Sequence, residues 1–189
     1  MSRNPASAVA RTTVDWATLV SFSVGSDVLA APVESVERVL RWSAPSPLPQ
    51  LPKWLDGVIT HGGRMVPVVD LRRRFGRADV ATTAATRIIV FAVGPEWLGA
   101  VVDSVQDVIS VDATTIAAPP SVVRGLSGEY LLGLVERGGR VVLVLDVGRL
   151  LTATEQLELQ EAQEAQEVQE AQEVQEAQEA QEAQEVQPQ

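Results

Sequence analysis

The sequence predicts an all-β fold: two similar small β-barrels of four or five strands each, or one twisted pair of them, packed together and followed by a low-complexity tail. Three observations carry that expectation. Residues 17–153 contain one pattern twice. Short Val-rich runs alternate with Gly turn signals along the same stretch. From Glu155 onward the composition collapses to Gln, Glu, Ala and Val.

The duplication appears when the chain is slid along itself. At an offset of 69, Leu19–Arg41 matches its counterpart at nine of 23 positions, and Phe22-Ser-Val-Gly25 falls on Phe91-Ala-Val-Gly94. At an offset of 76, Leu55–Phe75 matches at nine of 21 positions, including Gly57 with Gly133 and Asp70 with Asp146. A Val-rich composition would give roughly four or five chance matches in total. The repeats run over about 17–80 and 86–153, and the second has a longer connection around Pro119 to Ser127.

Residues 1–16 are polar and rich in small side chains, and read as a flexible N-terminus. Residues 18–24 and 28–33 are Val-rich runs around Gly25-Ser-Asp27, a hairpin signal. Val33, Val36 and Val39 recur at spacing three, which reads either as ordinary core or as a bent strand facing a groove. Pro45 to Pro52 reads as a crossing loop flanked by Trp42 and Trp54, each either packing over a barrel end or anchoring a partner. Residues 55–61 and 64–71 flank Gly62-Gly63, and 131–137 and 140–147 flank Gly138-Gly139; Gly-Gly supplies the positive φ of two-residue hairpins. Ala117 to Ser121 takes the place of the Pro-rich loop in the second repeat. One repeat alone is a marginal core, so the halves are expected to pack together, with a binding groove between them.

The tail, 154–189, repeats Gln-Glu-Ala or Gln-Glu-Val every three residues. Such a period winds its apolar residues around a 3.6-residue helix instead of building a stripe. A frayed helix or a disordered solubilising extension is expected, with an acidic docking tail as the other reading.

Charge follows the same division. Eleven of the 25 acidic residues lie in the tail, which leaves 14 against 15 basic residues in the body. The net charge of −10 therefore belongs to the tail and says nothing about the partners of the body. The chain has no Cys, which excludes a disulfide scaffold, a thiolate metal site and a cysteine nucleophile. One His excludes a multi-His metal site. No apolar run approaches the roughly 18 residues of a membrane span, and the N-terminus lacks a signal-peptide pattern. A cytoplasmic protein without direct membrane insertion is expected.

A catalytic set is not found. His61 beside the Gly-Gly turn reads as an exposed turn residue, with an enzymatic role as a minor alternative. No G-x-S-x-G, Walker A or G-x-G-x-x-G occurs. Asp70 and Asp146 sit at matched strand ends and are expected to cap the turn or short helix that follows. Arg72, Arg73, Arg74 and Arg77 form the one basic cluster. Two readings stand: an exposed strand-end face whose arginines pair with carboxylates, or a nucleic-acid or phosphate patch.

The ordered segments "APVESVERVLR", "LPKWLDGVI", "RMVPVVDLRRRFG", "IIVFAVGPEWLGAVVDSVQDVISV" and "YLLGLVERGGRVVLVLDVGRLL" resemble the CheW-like domain of bacterial chemosensory adaptors over residues 17–153. The resemblance implies two five-stranded barrels and a non-enzymatic coupling protein without a cofactor. It implies two partners: the cytoplasmic tip of a chemoreceptor and the regulatory domain of a CheA-type histidine kinase. Partner-binding residues implied on this basis are Val36, Arg38, Gly57, Gly62, Gly63, Arg64 and Gly133, with recruitment to membrane-associated receptor arrays and no nucleic acid. Two positions depart from the family pattern. Gly62-Gly63 stands where Arg-Gly is usual, and Arg38 stands where Glu is usual. A divergent member that binds kinase only is the alternative.

Overall fold

The computed structural model describes residues 16–47, 51–76, 81–119, 130–152, 154–158, 160, 161, 168, 172 and 175. Expectations for residues 1–15, for 48–50, for Arg77, for 120–129 and for most of the tail fall outside these. Ten strands run in order: β1 (Trp16–Val24), β2 (Asp27–Pro32), β3 (Val36–Arg41), β4 (Gly57–His61), β5 (Arg64–Asp70), β6 (Arg87–Val93), β7 (Glu96–Val102), β8 (Ser104–Asp112), β9 (Leu131–Arg137) and β10 (Arg140–Leu145). One short helix, α1 (Leu71–Arg74), follows β5. β1 begins at Trp16, paired with Asp112, at the end of the segment expected to be loose.

The four tight hairpins fall where glycine permits them. Gly62 and Gly63, at φ +57° and +76°, supply both left-handed positions of the β4–β5 turn, and Gly138-Gly139 repeats this at β9–β10. The strands form two curled five-stranded sheets, ordered β8-β1-β2-β10-β9 and β3-β6-β7-β5-β4. Under the sequence repeat, β1 to β5 correspond to β6 to β10, and that substitution converts one sheet order into the other.

Neither sheet is drawn from a single repeat. Each takes the first two strands of one repeat and the last three of the other. The connections explain the exchange. Only the 3-10 turn Val33–Ser35 separates β2 from β3, and only Asp103 separates β7 from β8. Neither link carries a glycine at positive φ, unlike the four hairpin turns, and the chain runs on into the neighbouring sheet instead of folding back beside its own hairpin.

Each sheet closes on itself through one bridge. Ser46 and Val58 exchange backbone hydrogen bonds of 2.8 and 2.9 Å, joining the segment after β3 to β4. Ala117 and Leu134 do the same at 2.8 Å, joining the segment after β8 to β9. Closure removes the exposed edges that β-sheets otherwise present.

Leu19, Ala30, Ile109, Val135, Val142 and Val144 fill one barrel, and Val68, Ile88 and Val101 fill the other. The largest cluster lies between them. It joins Phe22, Val24 and Leu29 to Ile89, Phe91 and Leu98, with Leu71, Leu145 and Leu150. The junction expected to be a groove is therefore closed by packed side chains over much of its extent.

Candidate functional site

β3 turns most of its side chains outward. Glu37, Arg38 and Val39 are exposed, and Val33 and Val39 are each more than one-third exposed. A register shift between Val36 and Arg38 bends the strand against β6. Val36 faces the central cluster and is partly buried there. Of the three valines at spacing three, one packs and two present themselves to solvent, which fits the bent-strand reading. β8 repeats the design: Val105 packs on the central cluster while Val108 is 65 % exposed.

Gly62, Gly63 and Arg64 form the β4–β5 turn. The parallel pairing of β5 with β7 places this turn beside Trp97, which the sequence reading did not single out. The Arg64 guanidinium lies 4.9 Å from the Trp97 ring centroid, and the His61 ring lies 5.7 Å from it. A Cβ on Gly62 would stand 3.7 Å from the same ring. His61 is thus half-buried in an aromatic contact, where the sequence suggested an exposed turn residue. Arg64 lies directly over the indole face, an arrangement that favours cations. β6 and β7 lie between this turn and Arg38, so the two groups occupy one sheet without touching through it.

Gly57 and Gly133 lie elsewhere. Each sits where the closing segment crosses its barrel. A Cβ on Gly57 would be 2.5 Å from the Ser46 carbonyl oxygen. A Cβ on Gly133 would be 2.5 Å from Ile116 Cγ2 and 2.7 Å from the Ala117 carbonyl oxygen. These glycines let the backbone close, a role independent of any partner.

The basic cluster is neutralised within the fold. Arg72 belongs to α1 and is buried, where an exposed strand-end residue was expected. Its Nε and Nη2 donate to both oxygens of Asp70 at 2.7–3.1 Å, and Asp103 lies 3.6 Å from Nη1. The Asp70 hydrogen bonds hold the Arg72 pKa above its ordinary value against the opposing effect of burial. Asp103 also accepts from the Gly25 amide at 2.6 Å, which ties α1 to the β1–β2 turn of the other barrel. Arg73 pairs with Asp56, and Arg74 with Glu155. The three described arginines each pair with a carboxylate, as the first of the two readings of this cluster expected. The caps expected at Asp70 and Asp146 are present, accepting from the amides of Arg72 and Gly148.

The first helical turn of the tail is attached to the body. The Thr152 amide donates to Glu155 Oε2 at 2.7 Å, and the Glu155 amide donates to Thr152 Oγ1 at 3.2 Å. This is a reciprocal capping box. The Arg74 fork donates to both Glu155 oxygens at 2.9 and 2.6 Å while lying 5.0 Å from the Tyr130 ring centroid. Burial alone would push the Glu155 carboxyl up; Arg74 and the Thr152 amide outweigh it and hold it below the ordinary glutamate value. Trp54, half-buried on the central cluster, donates its indole N–H to Glu158 at 2.9 Å. A cleft of about 470 Å³ opens beside this turn, lined mainly by Val93, Pro95, Trp97, Leu98, Leu151 and Gln156. The Thr-x-x-Glu signature was legible in the sequence, but it straddles the boundary drawn between body and tail.

Residues 18–155 match the model of the CheW-like domain. A chemotaxis protein CheW of Klebsiella aerogenes is 31% identical over 134 residues, covering 71% of this chain and 81% of the relative. Protein FrzA of Myxococcus xanthus is 32% identical over 137 residues, covering 71% and 85%. Among solved structures, the scaffolding protein TtCheW of Thermoanaerobacter tengcongensis superposes with a TM-score of 0.64 at 24% identity, covering 69% of this chain and 89% of that one. Among the described residues, no helix is long and apolar enough to cross a membrane.

Proposed function

The chain belongs to the CheW-like domain family of chemotaxis adaptors, and from that premise we propose that it couples chemoreceptor tips to the regulatory domain of a CheA-type histidine kinase. The observation that carries this reading is the match of residues 18–155, which spans both barrels and both members of the repeat. A two-barrel body offers separate surfaces, so two partners can be held at once. The exposed face of β3, with Arg38 and Val39, together with Val33 of the preceding turn, is the surface we assign to the receptor helix. The Gly62-Gly63-Arg64 turn with Trp97 is its neighbour on the same barrel. Gly57 closes the barrel that carries both surfaces, and Gly133 closes the other. Coupling by contact needs no catalytic group, and the protein is proposed to work in the cytoplasm at receptor arrays.

Arg38 and Gly62 favour a specific second reading, in which the kinase is bound without the receptor. Titration calorimetry of the full chain separates the two. Binding to both a receptor tip fragment and the kinase regulatory domain, each near the micromolar range of modest interfaces, supports coupling. Kinase binding alone supports the second reading. Binding to neither overturns both.

A further inference from the structure

We propose that Trp54, Arg74 and Tyr130 form a docking seat for a partner helix carrying two carboxylates three residues apart, and that the chain's own tail is a built-in competitor for it. The first tail turn shows the chemistry of the seat. Glu155 takes the Arg74 fork and Glu158 takes the Trp54 indole N–H. On a helix, residues three apart project from one side, so a single segment reaches both donors.

Two independent features mark the seat as more than a tail anchor. Arg74 Nε is buried without a hydrogen-bond partner, and the Arg74 side chain is only 10% exposed. The tail thus leaves unsatisfied a donor of the cation it covers, and a carboxylate approaching from the Nε side would satisfy it. The tail's own hold is also slight. Among the described residues of this turn, Gln156, Leu157 and Glu158 are exposed, with Leu157 60% exposed, and the further contact from Gln156 Nε2 to the Gly148 carbonyl is long at 3.5 Å. The sequence continues the same ligand: Glu recurs at every third position from Glu155 to Glu185. The tail therefore keeps many equivalent carboxylate pairs near the seat, which raises their effective concentration against an outside helix. This inference does not rest on the adaptor reading, because it concerns a segment and a face that need no receptor or kinase to be tested.

The test uses the full chain and, as probe, a fluorescently labelled peptide with the sequence of residues 152–175. A variant with all eleven tail glutamates replaced by glutamine keeps tail length and helix propensity while removing the competitor. The peptide is expected to bind this variant at least tenfold more tightly than the unaltered protein. Adding Arg74→Gln, or the milder Trp54→Phe that keeps the packed ring, is expected to remove that gain. A scrambled peptide of equal charge, with the three-residue spacing broken, is expected to bind at least tenfold more weakly. Equal binding to unaltered and glutamine-tailed protein would overturn the proposal. So would indifference to Trp54→Phe, or equal binding of the scrambled peptide.

Discussion

Phe22 and Phe91, equivalent residues of the two repeats, meet ring to ring with centroids 6.4 Å apart and planes tilted by 56°. The pair lies where the two repeats meet, between two sheets that the repeat correspondence interchanges. Both side chains are fully buried in the cluster that joins the barrels.

Truncating either ring is expected to cost about 3–5 kcal/mol, with closely similar values at the two sites. Because the rings share a contact, the double variant Phe22→Ala/Phe91→Ala is expected to lose less than the sum, by about 0.5–1.5 kcal/mol. Urea unfolding of the two single variants and the double variant measures this. Strictly additive losses would show that the two rings contribute independently and would contradict a stabilising contact between them.

The repeat and the hairpins were legible because glycine turns and Val-rich runs are local signals. The exchange of strands between repeats was not. It is set at the β2–β3 and β7–β8 links, and a sequence match cannot say which barrel a strand joins. The site was legible unevenly. Val36, Arg38 and Arg64 were reached by resemblance, whereas Trp97 was missed because its value comes from lying across the sheet from His61 and Arg64. Arg72 was misplaced for a related reason: the adjacent arginines look like one patch, yet each turns toward a different carboxylate.

Gly57 and Gly133 separate folding from partner contact. Gly57→Ala sets a Cβ against the Ser46 carbonyl at φ +139°, and Gly133→Ala sets one against the Ala117 carbonyl. Each is expected to destabilise by about 3 kcal/mol. Gly63→Ala meets nothing within 4 Å and suffers only its φ of +76°, a cost of about 1 kcal/mol. Thermal melts rank the three. A Gly57→Ala protein as stable as the unaltered chain would show that the crossing segment moves aside freely.

Arg72 is held by two carboxylates with its side chain 5% exposed. Removing it leaves Asp70 and Asp103 facing each other without a cation. Arg72→Met is therefore expected to cost about 3–5 kcal/mol, as for other broken buried pairs. Arg72→Lys keeps the charge but not the fork on Asp70, and is expected to recover only part of the loss. A shift in the urea midpoint worth less than 1 kcal/mol for Arg72→Met would contradict the clamp.

Glu155 makes tail docking pH-dependent, in a direction fixed by its partners. Arg74 and the Thr152 amide favour the charged carboxylate, so the docked state holds Glu155 below its ordinary pKa. A depressed acid contributes fully above the pKa of the undocked group and loses that contribution as pH falls through the docked one. Docking is thus expected to be constant from pH 7 to about 5 and to weaken below roughly 4.3, the ordinary glutamate value. Protonation removes the Arg74 partner and loosens the capping box, which then releases Glu158 from Trp54. The indole N–H resonance of Trp54, assigned with Trp54→Phe, reports this step by NMR. It is expected to move in acid before the resonance of Trp42, whose backbone amide donates to Thr86 away from the tail turn. In Glu155→Gln it is expected to sit near its acid position already at pH 7. If Trp54 instead moves together with Trp42, the tail turn is not a separate unit and its release belongs to global acid unfolding.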